Sequence, residues 1–79
     1  MVIKVLGTGC PKCQKAEANV RLALAELGIE AEVVKVTDIN QIMEYDVFMT
    51  PALVIDEKVV ASGKVPGIEA IKGWLHPKS

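Results

Sequence analysis

The chain has 79 residues, just over half of them apolar, and nine basic against ten acidic side chains leave a formal net charge of −1. This is enough for one small domain, 1–79, and charge spread without a basic stripe or interleaved aromatics counts against a nucleic-acid partner. No apolar run approaches the roughly 20 residues that cross a bilayer, and Val2–Leu6, interrupted by Lys4, is too short for a secretory h-region, so the expectation is a monomer in the cytoplasm with no membrane partner. Tyr45, Phe48 and Trp74 are the only aromatic residues, so the core must be aliphatic.

The predicted elements alternate. Val2 to Leu6 is apolar and β-branched, which predicts a strand, and Gly7-Thr8-Gly9 breaks it. A helix is predicted from Pro11 to Leu27, with Cys13, Ala16, Val20, Ala23, Leu24 and Leu27 at helical spacing. Gly28 suits a left-handed terminus. Ala31 to Val36 predicts a second strand. Thr37 and Asp38 are candidate N-caps of a short helix reaching about Tyr45, and Gln41 three residues after Asp38 suits a capping box. Ala52 to Ile55 and Val59 to Ser62, separated by Asp56-Glu57-Lys58, predict a hairpin. After the loop Gly63 to Gly67, residues Ile68, Ile71, Trp74 and Leu75 mark one face of a final helix. The order β-α-β-α-β-β-α implies an α/β domain. A parallel crossover and a closing antiparallel hairpin build a four-stranded mixed sheet flanked by helices.

Cys10-Pro11-Lys12-Cys13 holds both cysteines of the chain, at the junction of the first strand and the first helix. Residues i and i+3 at a helix start lie within disulfide range, about 5 to 6 Å between Cα atoms. The unpaired N–H groups and the dipole of the first turn stabilise a thiolate. Pro11 fits that turn because its φ is preset and its missing N–H is not needed. A structural disulfide is not expected in a reducing compartment, and so short a loop would stabilise little. The spacing therefore favours a dithiol redox centre, while ordinary buried cysteines and metal ligands are the bland readings. By position, Cys10 stands at the helix N-cap, with Lys12 and Lys15 adding positive charge, and is the candidate nucleophile. Cys13, one turn in on the face of Ala16 and Val20, is the candidate resolving thiol.

Taken together, Gly7-Thr8-Gly9-Cys10-Pro11-Lys12-Cys13, Thr50-Pro51 before the third strand, and Gly63 with Pro66-Gly67 resemble the thioredoxin superfamily, in particular its small, glutaredoxin-sized redox-active disulfide proteins. The resemblance covers nearly the whole chain. It implies the thioredoxin-like fold and a thiol–disulfide oxidoreductase working as a protein-disulfide reductase without a cofactor. It also implies disulfide-containing protein substrates, and a disulfide reductase as electron donor. On the same ground Pro51 is expected to be cis beside the cysteine pair, with the Thr50 backbone offered to an extended substrate segment. Lys12 and the loop from Gly63 are weaker substrate-contact candidates.

The chain departs from the larger thioredoxins at several points. Gly9 stands where a tryptophan commonly precedes the first cysteine, and the intervening dipeptide is Pro-Lys. Counting back from Cys10, the place of the buried carboxylate that assists proton transfer in many thioredoxins falls near Lys4. A charged lysine cannot play that part, and its plain reading is a snorkelling or edge side chain. No clear set of residues for holding glutathione is evident. His76, Glu26, Glu30 and Glu32 read as solvated, Met43 and Met49 as core or loop packing, and Trp74 as the anchor of the last helix.

Two other functions fit a C-x-x-C pair. Small βαββαβ copper carriers place one near the start of a helix, and soft thiolates suit Cu(I). Here Thr8 replaces the methionine often found two residues before the first cysteine, and a helix is predicted between the second and third strands. Two cysteines and one remote histidine do not complete a tetrahedral zinc site, so no metal is assigned. The third reading is a thioredoxin-like adaptor with an incidental redox pair.

Overall fold

Val2–Leu6 is apolar except at Lys4, and the computed structural model, which describes residues 1–9 and 11–75, places this strand inside a four-stranded sheet. The elements are β1 (Val2–Leu6), α1 (Pro11–Leu27), β2 (Glu32–Val36), α2 (Ile39–Met43), β3 (Ala52–Ile55), β4 (Lys58–Ser62) and α3 (Ile68–Leu75). The sheet order is β2-β1-β3-β4. β1 runs parallel to β2, in register from Val2 opposite Glu32 to Leu6 opposite Val36. It is antiparallel to β3, with Ile3 opposite Ile55 and Leu6 opposite Ala52. β3 and β4 form the hairpin, with a register shift between Leu53 and Val54.

Period-two alternation divides the core between the two sheet faces. Ile3, Val5, Leu53, Ile55 and Ala61 meet Val20, Ala23 and Leu24 of α1 and Ile71 and Leu75 of α3. On the opposite face Leu6, Val36, Ala52 and Val54 pack with Ile42 of α2 and Val47. The α/β order and the mixed sheet agree with the sequence reading, and α1 starts and ends as its apolar spacing predicts. Gly28 has φ +66°, the left-handed conformation a helix terminus needs.

Several expectations change. β2 begins one residue later and β4 one residue earlier than predicted. The hairpin turn is tighter, because Asp56 and Glu57 both take positive φ, the geometry that matches the twist of two paired strands. α2 stops at Met43 rather than near Tyr45. Asp38 caps it by accepting from the Asn40 backbone N–H at 2.8 Å. Trp74 is 39% exposed and does not anchor α3; Ile71 and Leu75 do, helped by a 2.9 Å ion pair from Lys72 to Glu26 on α1. Met43 and Met49 are exposed rather than in the core, and Met49 packs in the loop against Gly63. His76 lies outside the described residues.

Lys4 is not at an edge, since β1 is an inner strand. Its side chain lies on the α2 face, where its ammonium donates to Tyr45 Oη at 2.7 Å and Glu57 Oε1 at 2.8 Å. The Tyr45 hydroxyl donates to Glu57 Oε2 at 3.1 Å. These bonds, Lys4 first, hold the Glu57 carboxyl below the usual carboxylate range. Arg21 does the same to Glu17 on α1. A carboxylate depressed by folding stabilises the fold above its unfolded pKa of about 4.3, and that contribution is lost as pH falls through the folded value. Lys4, raised by the same cluster, adds no pH dependence in that acid window. Thermal melts are therefore expected to be level near neutrality and to drop below about pH 4.5. Glu57→Gln should lower the melting temperature near neutrality and flatten the acid limb. A deficit as large at about pH 3 as at about pH 7 would contradict this origin.

Candidate active site

The C-terminal end of β1, the first turn of α1 and the segment entering β3 converge. Gly7 N–H donates to the Val36 carbonyl at 2.9 Å and prolongs the pairing of β1 with β2. Thr8 and Gly9 then turn the chain, Gly9 with φ +91°. The Gln14 amide returns from α1 to donate to the Gly9 carbonyl at 3.2 Å. Pro11 opens α1, and Cys13, the third residue of the helix, faces the sheet and is only 5% exposed. Its thiol fills the space that a side chain at residue 7 would take. A β-carbon on Gly7 would overlap Cys13 Sγ, and would lie 3.1 Å from Cys13 Cβ and 3.8 Å from Thr50 Cβ. Glycine at 7 thus lets the thiol reach the end of β1, with Thr50 beside it.

The Thr50–Pro51 peptide bond is cis. Pro51 is fully buried, and Thr50 is exposed. Pro51 accepts a 3.0 Å hydrogen bond at its carbonyl from Gly63 N–H, so the exit of β4 is fastened to the entry of β3. Gly63 has φ +79°, and a β-carbon there would come within 3.2 Å of Met49 Cβ. The loop that follows is tied down by Asn19, the one buried polar residue of the described chain, whose amide donates to the Pro66 carbonyl at 2.9 Å.

The structure thus brings together Cys13, Thr50, Pro51 and Gly63 among the residues singled out from sequence. Lys12 is exposed on the first turn of α1. Cys10 lies outside the described residues. Lys4, the residue reached by counting back to the family carboxylate, is on the far face of the sheet from α1 and has its own partners there. Three contributors escaped the sequence reading, and Gly7, though part of the family motif, looked only like a strand breaker. Asn19 was one polar residue on a helix. Glu17 carried a usable signal, four residues after Cys13 and so on the same helix face. Lys35 became visible only through the strand register, which sets it opposite Val5.

Glu17 and Lys35 share with Cys13 a cavity of about 350 Å³, also lined by Val5, Gly7 and Thr37. Glu17 accepts from Arg21 at 3.0 Å and pairs with Lys35 at 3.5 Å, its side chain only 16% exposed. The Arg21 bond, with the Lys35 charge, outweighs partial burial and keeps its carboxyl below the ordinary range. On the other side of the site an apolar groove runs between Thr8 and Thr50, lined by Ile39, Ile42, Met43 and Phe48. Phe48 is 83% exposed.

The thioredoxin domain family model matches residues 1–76. The chain belongs to the thioredoxin family. It is 53% identical to a thioredoxin of Methanocaldococcus jannaschii over 75 residues, which cover 95% of this chain and 86% of that protein. It is 42% identical to a thioredoxin of Methanothermobacter thermautotrophicus over 75 residues, 95% of this chain and 97% of that protein. Its chemistry is thiol–disulfide oxidoreduction, that of a protein-disulfide reductase. The helix between β2 and β3 also separates this topology from that of the βαββαβ copper carriers. Among the described residues no helix is long and apolar enough to cross a membrane.

Proposed function

We propose that the chain reduces protein disulfides through Cys10 and Cys13, with Cys10 as nucleophile and Cys13 as resolving thiol. The observation that carries this division of labour is the burial of Cys13 against Gly7, beside Thr50. A thiol so enclosed cannot meet a protein substrate first, so the attacking role falls to Cys10, which precedes Pro11 at the start of α1. The Cys10 thiolate attacks one sulfur of the substrate disulfide, and the other sulfur leaves as a thiolate that takes a proton from solvent. Cys13 then loses its proton and attacks the Cys10 sulfur. The mixed disulfide breaks, the second substrate thiol departs, and a Cys10–Cys13 disulfide remains. Two electrons have passed to the substrate, and a reductase returns two to the protein.

The exposed Thr50 is suited to hold an extended substrate segment by strand-like backbone pairing, with Gly63 and Lys12 at the rim. The setting proposed is a single-domain monomer in the cytoplasm, where thiols are kept reduced. Insulin reduction with dithiothreitol as electron source tests the activity, run beside an anaerobic Cu(I) titration. Catalysed reduction is expected. Tight Cu(I) uptake without catalysis would favour the metal-carrier reading instead.

Cys10 is further expected to be the more reactive thiol, with a pKa below the unperturbed value of about 8.5, because it adjoins the helix start and Lys12. Alkylation followed against pH, with the modified residue mapped by mass, measures this. Faster labelling of Cys13 in the reduced protein would reverse the assignment.

A further inference from the structure

In the reaction just described Cys13 must stay protonated until a mixed disulfide forms and must then ionise. The charged groups around it decide how easily it does so. On its own helix these are Glu17, one turn on, and the flanking Lys12, which is exposed to solvent. From β2 comes Lys35, opposite Val5. The end of β1 and the segment entering β3 present only Val5, Gly7 and Thr50, which carry no charge. Glu17, Lys35 and Cys13 line one cavity, and the two charged side chains are paired across it at 3.5 Å. Lys4 and Glu57, the other ion pair near β1, lie on the opposite sheet face and are screened from the thiol by the sheet itself.

We propose that the Glu17–Lys35 pair sets the ionisation of Cys13, the carboxylate holding the thiol protonated and the ammonium limiting that effect. Glu17 is a positioning charge and not a base: its carboxyl, held down by Arg21 and then Lys35, stays ionised near neutrality and is a poor acceptor for a thiol proton. A fixed anion beside a thiol opposes formation of the thiolate, and a fixed cation favours it. Glu17 is mostly buried beside the thiol while Lys35 is largely exposed, so solvent screens the ammonium more than the carboxylate. The consequence reaches the redox poise. A lower thiol pKa stabilises the reduced protein and makes its disulfide more oxidising. Glu17, by opposing the Cys13 thiolate, keeps the protein a reductant at pH values where that thiolate would otherwise form.

The inference rests on Cys13 being the resolving thiol only for its functional consequence, so the first measurement avoids activity altogether. In a Cys10→Ser background Cys13 is the single thiol, and its alkylation rate against pH gives its midpoint directly. Glu17→Gln is expected to lower that midpoint, raising the thiolate fraction near neutrality roughly threefold or more. Lys35→Gln is expected to raise the midpoint by a smaller factor, because its ammonium is largely exposed. A folding defect cannot mimic opposite shifts from two partners of one ion pair. In the protein with both cysteines, Glu17→Gln should move the equilibrium with dithiothreitol toward the dithiol form at pH above the Cys13 midpoint and leave it nearly unchanged well below, and Glu17→Asp should restore most of the parent value. Unchanged midpoints, or shifts of the same sign in both variants, would overturn the proposal. Opposite shifts, combined with a Cys13→Ser protein that traps no substrate, would uphold the electrostatic control and remove the resolving role.

Discussion

Cys13→Ser should accumulate a covalent mixed disulfide with substrate proteins, and Cys10→Ser should accumulate almost none. In the first variant the Cys10 thiolate still attacks, but the sulfur that would displace the substrate is missing, so the intermediate persists until an outside thiol releases it. In the second the remaining thiol is the one buried against Gly7, out of reach of a protein disulfide. Turnover in the insulin assay should fall on the order of a thousandfold or more in either variant, because each removes one of two obligatory exchange steps. The gel readout separates them: a reducible adduct with Cys13→Ser and none with Cys10→Ser. Equal trapping by both would mean that the two thiols are equally accessible, contrary to the enclosure of Cys13.

The second large effect is expected at a residue with no side chain. Gly7→Ala puts a β-carbon where Cys13 Sγ lies, with Cys13 Cβ and Thr50 Cβ close behind it. The obstacle is a side chain on the first turn of a helix that is packed along the sheet, so relief requires α1 or the end of β1 to shift. Overpacking of this kind costs about 1 to 3 kcal/mol. It also misplaces the resolving sulfur, and displacement of a reacting group by about 1 Å can slow a step by roughly a hundredfold. Gly7→Ala should therefore lower the denaturation midpoint and slow the release of mixed disulfide more than its formation. In a double-mutant cycle with Cys13→Ala, which removes the sulfur, most of the stability loss should be recovered. If Gly7→Ala is as destabilising with alanine at 13 as with cysteine, the thiol is not what excludes the side chain.

The residues that could be read in advance are those whose role is written in local spacing. Pro11–Leu27 is a helix because its apolar positions recur every three to four residues and Gly28 supplies a left-handed end. Val2–Leu6 and Ala52–Ile55 are strands because β-branched and aliphatic residues cluster between turn formers. Two cysteines at i and i+3 ahead of a predicted helix favour dithiol chemistry for the same local reason, and Thr50-Pro51 ahead of a strand drew attention to the segment that the fold places beside Cys13. Boundaries slipped where packing rather than propensity decides. α2 stopped short at Met43, and Trp74, large and apolar, remained on the surface because Ile71 and Leu75 already fill the space between α3 and the sheet.

Residues distant in the chain meet by register and crossing, and there local pattern is silent. Gly7 is obligatory because Cys13, a helix turn away in space, takes its place, while glycine after a strand would by itself mean only a turn. Lys4 sits at the sequence offset of a proton-handling group, yet the alternation of β1 turns it to the far face, toward Tyr45 and Glu57. The parallel pairing of β1 with β2 is what carries Lys35, more than twenty residues from Cys13, to the cavity beside it. Spacing along one element determines which groups share a face. Only the assembled sheet and helices determine which faces meet, and the charges that surround Cys13 are set by that meeting.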